Sequence, residues 1–457
     1  MFSKDTYINR RNQLKKTIGS GLLLFLGNDE SGMNYEDNTY DFRQDSTFLY
    51  YFGLSFANLS AVINIDEDEE IIFGDEISID HIVWMGTQPT LKEKSESVGI
   101  YKTKPINSIS DYLDRAQKKG QKIHFLPTYR AEHKLKLMEW LGLHPTKQEP
   151  SVKFIKAVVN QRNYKSVEEI VEIEKACDIT ADMHLTAMKM LRVGMKECEI
   201  AGALSKVAIG AGGRLSFPTI ATVNGQILHN HYHGNTVKEG DMLLVDAGAE
   251  TAMGYAGDMS STIPAGKKFT TRQKEIYDIQ VASHLAAVEA LRPGILFEEV
   301  YNLSAKVICE GMKSLGIMKG DMSDAVRAGA HAMFFPCGLG HMMGLDVHDM
   351  ENLGEVWVGY DGKPKSTQFG RKSLRLARKL EPGFILTIEP GIYFIPELID
   401  LWKAEKKFAE FIDYDKLETY RDFGGIRNEE DYLITENGAR RLGKKIPLTT
   451  EEVEALR

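Results

Sequence analysis

Two carboxylates stand at the ends of apolar runs that glycines enclose. Asp246 follows the apolar run of segment 240–248, and Glu389 follows that of segment 383–391, and the two segments match position by position. Hard divalent ions such as Mn²⁺ take oxygen ligands, and a site with two ions needs carboxylates that can bridge them. Both runs are typical of strands, so Asp246 and Glu389 are candidate metal ligands at two strand ends.

The histidines of segment 338–349 form a second group of candidates. His341 and His348 lie seven residues apart in an apolar stretch interrupted by glycines, and Asp349 follows directly. A single His is often a core residue with a satisfied hydrogen bond, but several ionisable groups in apolar surroundings need partners or a metal. The spacing alone leaves both interpretations open.

Two further acids could complete a metal site. Asp258 follows a glycine-containing turn after Asp246, and a returning strand would place it beside that residue. Glu429 begins the acidic run 429–431. A lone Asp in such a turn is usually a solvated turn former, so Asp258 is a candidate only if the strand returns.

The elements that must position these groups repeat along the second part of the chain. Ser166 and Glu169 form a capping-box signature for a helix that ends at segment 192–194. One hundred residues later, segment 291–294 ends a second long helical pattern in the same way. Helix end, strand and carboxylate recur in the same order, which favours internal duplication over a chance match. The sequence therefore predicts two α/β halves around a pseudo-twofold axis that brings the strand-end carboxylates together.

The first third of the chain predicts a separate mixed α/β domain. Short β-rich runs and helical patterns alternate there, and a polar stretch near residues 160–165 precedes the capped helix. We expect an α/β (α+β) protein with an amino-terminal domain at 1–160 and a catalytic domain at 161–457. The predicted strands are 22–26, 61–65, 70–73 and 81–85, and the predicted helices are 108–118 and 132–140.

The composition excludes several classes of function. The net charge is −9 and the basic residues are scattered among acids, which argues against a nucleic-acid partner. No apolar run approaches the roughly 18 residues of a spanning helix, and the start has no apolar core of a secretory signal. The four cysteines form no CxxC pair. These features predict a cytoplasmic globular protein that does not act at a membrane.

Taken together, the candidate ligands resemble those of the pita-bread metallopeptidases, in the aminopeptidase P and prolidase branch. That family has ligands in the order Asp, Asp, His, Glu, Glu. The sequence context matches at each position, as in Gly-Leu-Gly-His and Thr-Ile-Glu-Pro-Gly. Segment 40–48 and Trp84 also resemble the amino-terminal domain of these enzymes. The resemblance implies metal ligation by Asp246, Asp258, His341, Glu389 and Glu429.

The same resemblance implies an activity, which is hydrolysis of the Xaa-Pro bond at the N-terminus of short peptides. It implies two divalent ions, with Mn²⁺ favoured and Co²⁺ or Zn²⁺ as alternatives, and a homo-oligomer such as a dimer or tetramer. Glu389 is the candidate proton shuttle, and His229 and His348 are the candidate catalytic and substrate-binding histidines. Two further residues are candidates for substrate binding: Arg427, which matches an Arg beside the last ligand, and Cys337, which takes the place of a His near the scissile bond.

Two alternatives remain open on the sequence. Long segments between His348 and Glu389 and before Arg427 are typical of a dipeptidase restricted to Xaa-Pro, in place of an aminopeptidase. A protein of the same fold without a metal, acting as a binding protein, belongs to a different class. The five intact ligand positions argue against that second alternative, because without a metal nothing would require five polar groups to converge.

Overall fold

The computed structural model describes all 457 residues, which separate into two compact units. The first unit contains Met1–Arg162 and Met350–Trp357, and the second contains Asn163–Asp349 and Val358–Arg457. None of the helices combines the length and the apolar character that crossing a bilayer requires.

A five-stranded sheet forms the centre of the first unit. Its strand order is β4-β3-β2-β1-β5, where β1 pairs antiparallel with β2 and parallel with β5. Leu24, Val62 and Phe73 pack with apolar residues of α5 and α6 in a buried core. The elements are α1 (Lys4–Ile18), β1 (Leu22–Leu26), α2 (Ser46–Phe52), β2 (Ser60–Asn64), β3 (Glu69–Phe73), α3 (Ile79–Met85), α4 (Leu91–Ser97), β4 (Lys102–Lys104), α5 (Ile109–Lys118), β5 (Ile123–His124), α6 (Ala131–Leu141) and α7 (Val152–Arg162).

One predicted strand of this unit is wrong. Residues 81–85 belong to helix α3, which begins after Ser78, whose hydroxyl accepts a hydrogen bond from the His81 amide. This cap and Asp80 in the first turn stabilise a helix start, whereas no neighbouring strand offers hydrogen bonds to the run. None of the α3 side chains is buried, and Trp84 is 84% exposed.

The second unit repeats one arrangement, a pair of helices followed by a small sheet. Its first half has α8 and α9 with the sheet β10-β8-β7, and its second half has α10 and α11 with the sheet β11-β14-β15. The elements are α8 (Val167–Met190), α9 (Glu197–Gly210), β6 (Arg214–Leu215), β7 (Ile220–Thr222), β8 (Met242–Ala247), β9 (Ala249–Glu250), β10 (Met259–Pro264), α10 (Thr271–Ala290), α11 (Phe297–Ser314), α12 (Met322–Ala328), β11 (Ile385–Ile388), β12 (Gly391–Tyr393), α14 (Pro396–Ala404), α15 (Tyr414–Glu418), β13 (Gly425–Arg427), β14 (Glu430–Ile434), β15 (Ala439–Arg441) and α16 (Thr450–Leu456), and α13 (Glu355–Val358) lies where the chain re-enters this unit.

The sequence pattern of the repeat is found in these elements. Ser166 and Glu169 form the capping box of α8, in which each side chain accepts a hydrogen bond from the backbone amide of the other. The two glycine-bounded runs are β8 and β11. A bridge between Ser260 and Glu429 joins the two halves, and it is closed by the Glu429 amide donating to the Ser260 carbonyl at 3.0 Å. The mixed α/β fold class expected from the sequence is therefore confirmed.

Candidate metal centre

A cavity of about 490 Å³ lies within the second unit. Its lining includes all five side chains that the sequence nominated as ligands, from both halves of the repeat. It also includes the nominated substrate-binding residues. These two groups are Asp246, Asp258, His341, Glu389 and Glu429, and His229, Cys337, His348 and Arg427.

Strand pairing places the two aspartates side by side. β8 and β10 are antiparallel, with Asp246 opposite Ser260 and Ala247 opposite Met259. Asp258 directly precedes β10 and therefore lies beside the end of β8 that contains Asp246. Cross-strand neighbours lie close enough for their side chains to meet.

A further extended segment brings His341 and Glu389 together. The Thr387 amide donates to the His341 carbonyl at 3.0 Å, and the Glu389 amide donates to the Leu339 carbonyl at 2.8 Å, so residues 339–341 run along β11. The His341 Nε2 lies 3.3 Å from Asp258 Oδ2 and 3.7 Å from Glu389 Oε1. The His341 Nδ1 lies 3.1 Å from the Met342 carbonyl, so Nδ1 is the donor and Nε2 is the nitrogen available to a metal.

Glu429 completes the centre from the other half. Its carboxylate accepts a hydrogen bond of 2.7 Å from the Ser260 hydroxyl. One ligand atom each from Asp258, His341 and Glu429 lie within 4.8 Å of one another, and all three residues are buried. This spacing is one that a single small cation could satisfy.

The electrostatics of the cluster favour a cation. Burial raises the pKa of Asp258 well above its usual value, and the neighbouring Asp246 raises it further. Burial, and then the charge of Asp258, raise the pKa of Glu429 well above its usual value. One oxygen each of Asp246 and Asp258 is buried without a hydrogen-bond partner in the protein. Four carboxylates and one imidazole, with two such oxygens, fit a pair of hard divalent ions.

Arg427 partly balances the negative charge. Its guanidinium donates to Asp246 Oδ2 at 2.6 Å, to the Tyr393 hydroxyl at 2.7 Å and to the Ser260 hydroxyl at 3.0 Å. Because Ser260 also donates to Glu429, the guanidinium orients two candidate ligands, Asp246 directly and Glu429 through Ser260. The resemblance assigned Arg427 to the substrate, and in this geometry it is held by protein groups on three sides.

The candidate substrate-binding histidines line the same cavity as the candidate metal ligands. The His348 ring packs against that of His341, with centroids 4.3 Å apart. Burial, and then the charge of Arg427, lower the pKa of His229, which keeps its ring neutral near pH 7. His231 lines the same cavity as His229, whereas the ring of His233 lies 3.0 Å from the Thr219 carbonyl and does not line the cavity.

Cys337 lines the cavity in a half-buried position. Burial, and then the charge of Glu389, raise the pKa of its thiol to about 12, so the sulfur carries its proton near neutral pH. The Tyr393 hydroxyl contacts the same sulfur. A neutral thiol there is a weak hydrogen-bond donor.

Three residues of the site were not found from the sequence. Ser260 and Tyr393 hold Arg427, and Arg375 lines the cavity near enough to His229 to lower its pKa. The alternation of polar Ser373 and Arg375 with buried Leu374 and Leu376 is a period-two signal that could have indicated Arg375.

Comparison with known proteins gives consistent matches over the whole chain. Residues 171–436 match the model of metallopeptidase family M24, and residues 7–124 match that of the aminopeptidase P N-terminal domain. The human Xaa-Pro dipeptidase is 30% identical over 95% of this chain and 88% of its own length. The Xaa-Pro aminopeptidase of Escherichia coli is 30% identical over 99% of this chain and 98% of its own length.

Solved structures resemble the whole chain as well. Zn-substituted E. coli aminopeptidase P in complex with product has a TM-score of 0.81 and 30% identity, and the match covers 100% of this chain and 98% of that one. The aminopeptidase PepP of Pseudomonas aeruginosa has a TM-score of 0.83 at 26% identity, with the same coverage.

Proposed function

Because the chain belongs to metallopeptidase family M24, in its aminopeptidase P and prolidase branch, and is a metallo-exopeptidase, we propose that it removes the N-terminal residue from short peptides at an Xaa-Pro bond. One observation supports the proposal most strongly: five candidate ligands from two halves of a repeated fold line one cavity together with His229 and His348, whose rings could bind a peptide. The alternative of a binding protein without a metal leaves that convergence without a cause.

Divalent metal ions belong to the chemistry of this family, and we propose Mn²⁺ as the ion of this chain, with Co²⁺ and Zn²⁺ as alternatives. The ligands would be Asp246, Asp258, His341, Glu389 and Glu429. Two ions held there would lower the pKa of a water molecule and polarise the scissile carbonyl. The oxygen-rich donor set suits hard ions, which is why Mn²⁺ is favoured.

The remaining steps are assigned to side chains of the protein. Glu389, beside His341 in the cavity, would accept the proton of the attacking water and pass it to the leaving nitrogen. His348 would donate a hydrogen bond to the oxygen that gains negative charge. His229, neutral because its pKa is lowered, would donate to a carbonyl of the substrate next to the proline. Proline has no amide hydrogen to donate, so the enzyme must recognise the carbonyl groups of the peptide on either side of it.

A dipeptidase restricted to Xaa-Pro is the second candidate, and Arg375 is the observation that favours it. This guanidinium lines the catalytic cavity, and a fixed cation there suits the free carboxylate of a dipeptide. An aminopeptidase acting on longer chains would have no carboxylate at that position. Both candidate enzymes hydrolyse an Xaa-Pro bond by the same chemistry. Only an assay that compares dipeptides with longer peptides can therefore distinguish them.

We expect Arg375→Met to separate the two. If the guanidinium binds the C-terminal carboxylate, the kcat/KM for Ala-Pro falls roughly 10- to 100-fold, as for the loss of a hydrogen bond to a charged group, while that for Ala-Pro-Ala amide is unchanged. Steady-state kinetics with added Mn²⁺ on both peptides, and on Ala-Ala, would measure this. Lys379→Met, an exposed cation of the same segment outside the cavity, is the control. Equal kinetics of Arg375→Met and wild type on Ala-Pro would contradict a role in carboxylate binding.

We also propose that the protein is a homo-oligomer, a dimer or tetramer, in which the amino-terminal domain helps to close the active site of a neighbouring subunit. The support is α3, where Ile79, Val83, Trp84 and Met85 are all more than half exposed on a seven-residue helix. Clustered apolar side chains on a surface often mark a protein contact. We take residues 1–160 and 161–457 as the two functional domains and the cytoplasm as the compartment.

Sedimentation velocity would test the assembly. Trp84→Glu should shift the protein toward smaller species, because loss of a desolvated Trp weakens association by roughly 30-fold or more. Tyr101→Glu, at another residue of the same unit that is 70% exposed, should leave the assembly unchanged. A wild-type monomer with full activity would refute the oligomer.

A further inference from the structure

A buried ion pair is formed by the residue that follows His348. Lys165 Nζ is 2.9 Å from Asp349 Oδ2, and both side chains are 1% exposed. Moving two charges out of water is unfavourable. A protein in which hydrophobic residues of similar size replace a buried ion pair is often as stable as the original. A pair buried this completely therefore calls for a role beyond stability.

The pair fixes the loop that carries His348. Asp349 is the next residue, and its amide donates to the Met342 carbonyl at 2.8 Å, which closes the loop onto the strand segment after His341. The Asp349 carboxylate also accepts from the Asp346 amide at 3.3 Å. Both carboxylate oxygens of Asp349 are thus engaged, one by the loop and the other by Lys165.

Lys165 is itself held at a fixed point of the fold. Its amide donates to the Gly383 carbonyl at 2.9 Å, just before β11, and it directly precedes Ser166, the N-cap of α8. The ion pair therefore connects the His348 loop to the strand that leads to Glu389. Two elements that carry proposed catalytic groups are thus joined through one residue, whose ammonium group binds Asp349 and whose backbone amide binds Gly383.

Gly344 leaves the space that the pair occupies. A Cβ at this position would lie 2.7 Å from Asp349 Oδ2 and 2.9 Å from Lys165 Cε, closer than such atoms approach. The Gly344 carbonyl accepts from the Ala256 amide at 2.9 Å, two residues before Asp258. The same loop thus also contacts the turn that leads to a metal ligand.

We propose that Lys165 and Asp349 are positioning residues, which hold the imidazole of His348 in the orientation needed to stabilise the transition state. The inference rests on the proposed function, because it assigns a consequence for Xaa-Pro hydrolysis. Neither side chain lines the catalytic cavity, so both act through His348 and not on the substrate. A misplacement of about 1 Å at a catalytic group can reduce turnover roughly 10²-fold.

The test is a double-mutant cycle with His348→Ala. Lys165→Met is expected to lower kcat on Ala-Pro and Ala-Pro-Ala roughly 10²-fold with little change in KM or metal content. In the His348→Ala background, the same substitution should lower kcat by no more than about threefold, because the group it positions is gone. Lys136→Met, which breaks the Lys136–Asp29 ion pair of the other unit, is the control and should leave kcat unchanged.

The outcomes separate the inference from the proposed function. Equal losses from Lys165→Met in both backgrounds would mean that the pair acts on the fold in general and would overturn the inference. Full activity of His348→Ala alone would instead refute the role proposed for His348. If Lys165→Met does not fold, Lys165→Arg keeps the charge with a different head group, and the same comparison of the two backgrounds decides.

Discussion

Asp258→Asn is expected to abolish peptidase activity and to remove the stabilisation of the protein by metal. Asp258 lies at the centre of the cluster, 3.3 Å from His341 and within the influence of the charges of Asp246 and Glu389. An amide keeps the shape of the side chain but lacks the negative charge that would hold a divalent cation. The loss of several kcal/mol of transition-state stabilisation corresponds to roughly a 10³-fold or larger fall in kcat/KM.

A second readout of this variant does not depend on activity. A ligand that binds only the folded protein stabilises it by about 2.7 kcal/mol at 100 times its Kd, so Mn²⁺ should raise the Tm of wild type. Asp258→Asn should lose this increase. Without metal it should be as stable as wild type or more so, because burial and neighbouring acids disfavour the charged carboxylate that it replaces.

The control for both readouts is Asp182→Asn, at a half-exposed acid of the same unit that pairs with Lys444. It should retain activity and the Mn²⁺-dependent rise in Tm. If Asp258→Asn kept the metal-dependent rise, or if wild type hydrolysed Ala-Pro after exhaustive chelation, the two-metal site would be wrong.

The convergence of the candidate ligands in one cavity was predictable where those residues occupy positions with strong local signals. Glycines mark the ends of β8 and β11, and the carboxylates Asp246 and Glu389 lie at or just after those ends. The duplication indicated that the two strands face each other. Local pattern and long-range arrangement agree for Asp246 and Glu389, so the repeat predicted that these two carboxylates meet. The full set of five candidate ligands came from the resemblance to the family and not from spacing.

Helix α3 shows where local pattern misleads. Its run of β-branched and aromatic residues is typical of a strand, but the Ser78 cap decides in favour of a helix. Strand propensity expresses packing against neighbouring strands, and this exposed run has no such neighbour. A capping signal therefore outweighs β-propensity when a segment is not buried.

The residues that support the ligands were not predictable for a different reason. The hydrogen bond from Ser260 to Glu429 joins positions 169 residues apart, and that from Arg427 to Asp246 joins positions 181 apart. No local period reports which residues of two distant segments will meet. The role of Ser260 is apparent only from the bridge to Glu429 that joins the two halves in the structure.

Cys337 is the residue at which this chain departs from the pattern of the family that it resembles, where a His is usual. The thiol is protonated near neutral pH, since its pKa is raised to about 12, and it donates a hydrogen bond less well than an imidazole. Loss of one donor to a developing oxyanion lowers turnover roughly 10²- to 10³-fold when no other group replaces it. His348 lines the same cavity and offers partial compensation, so we expect an active enzyme with reduced turnover.

Cys337→His is therefore expected to raise kcat on Ala-Pro and Ala-Pro-Ala, by roughly tenfold and at most about 10²-fold, with unchanged metal content. The cavity of about 490 Å³ gives the larger ring space, and the imidazole would replace the thiol beside Tyr393. Steady-state kinetics with metal analysis of the same preparations would measure both quantities. Cys198→His, at an exposed cysteine outside the cavity, should change neither. Two results would show that the thiol has a function of its own: a fall in kcat for Cys337→His, or loss of metal from wild type on treatment with a thiol-blocking reagent. If Cys337 were only a weak hydrogen-bond donor, the substitution would raise kcat and blocking the thiol would not release metal.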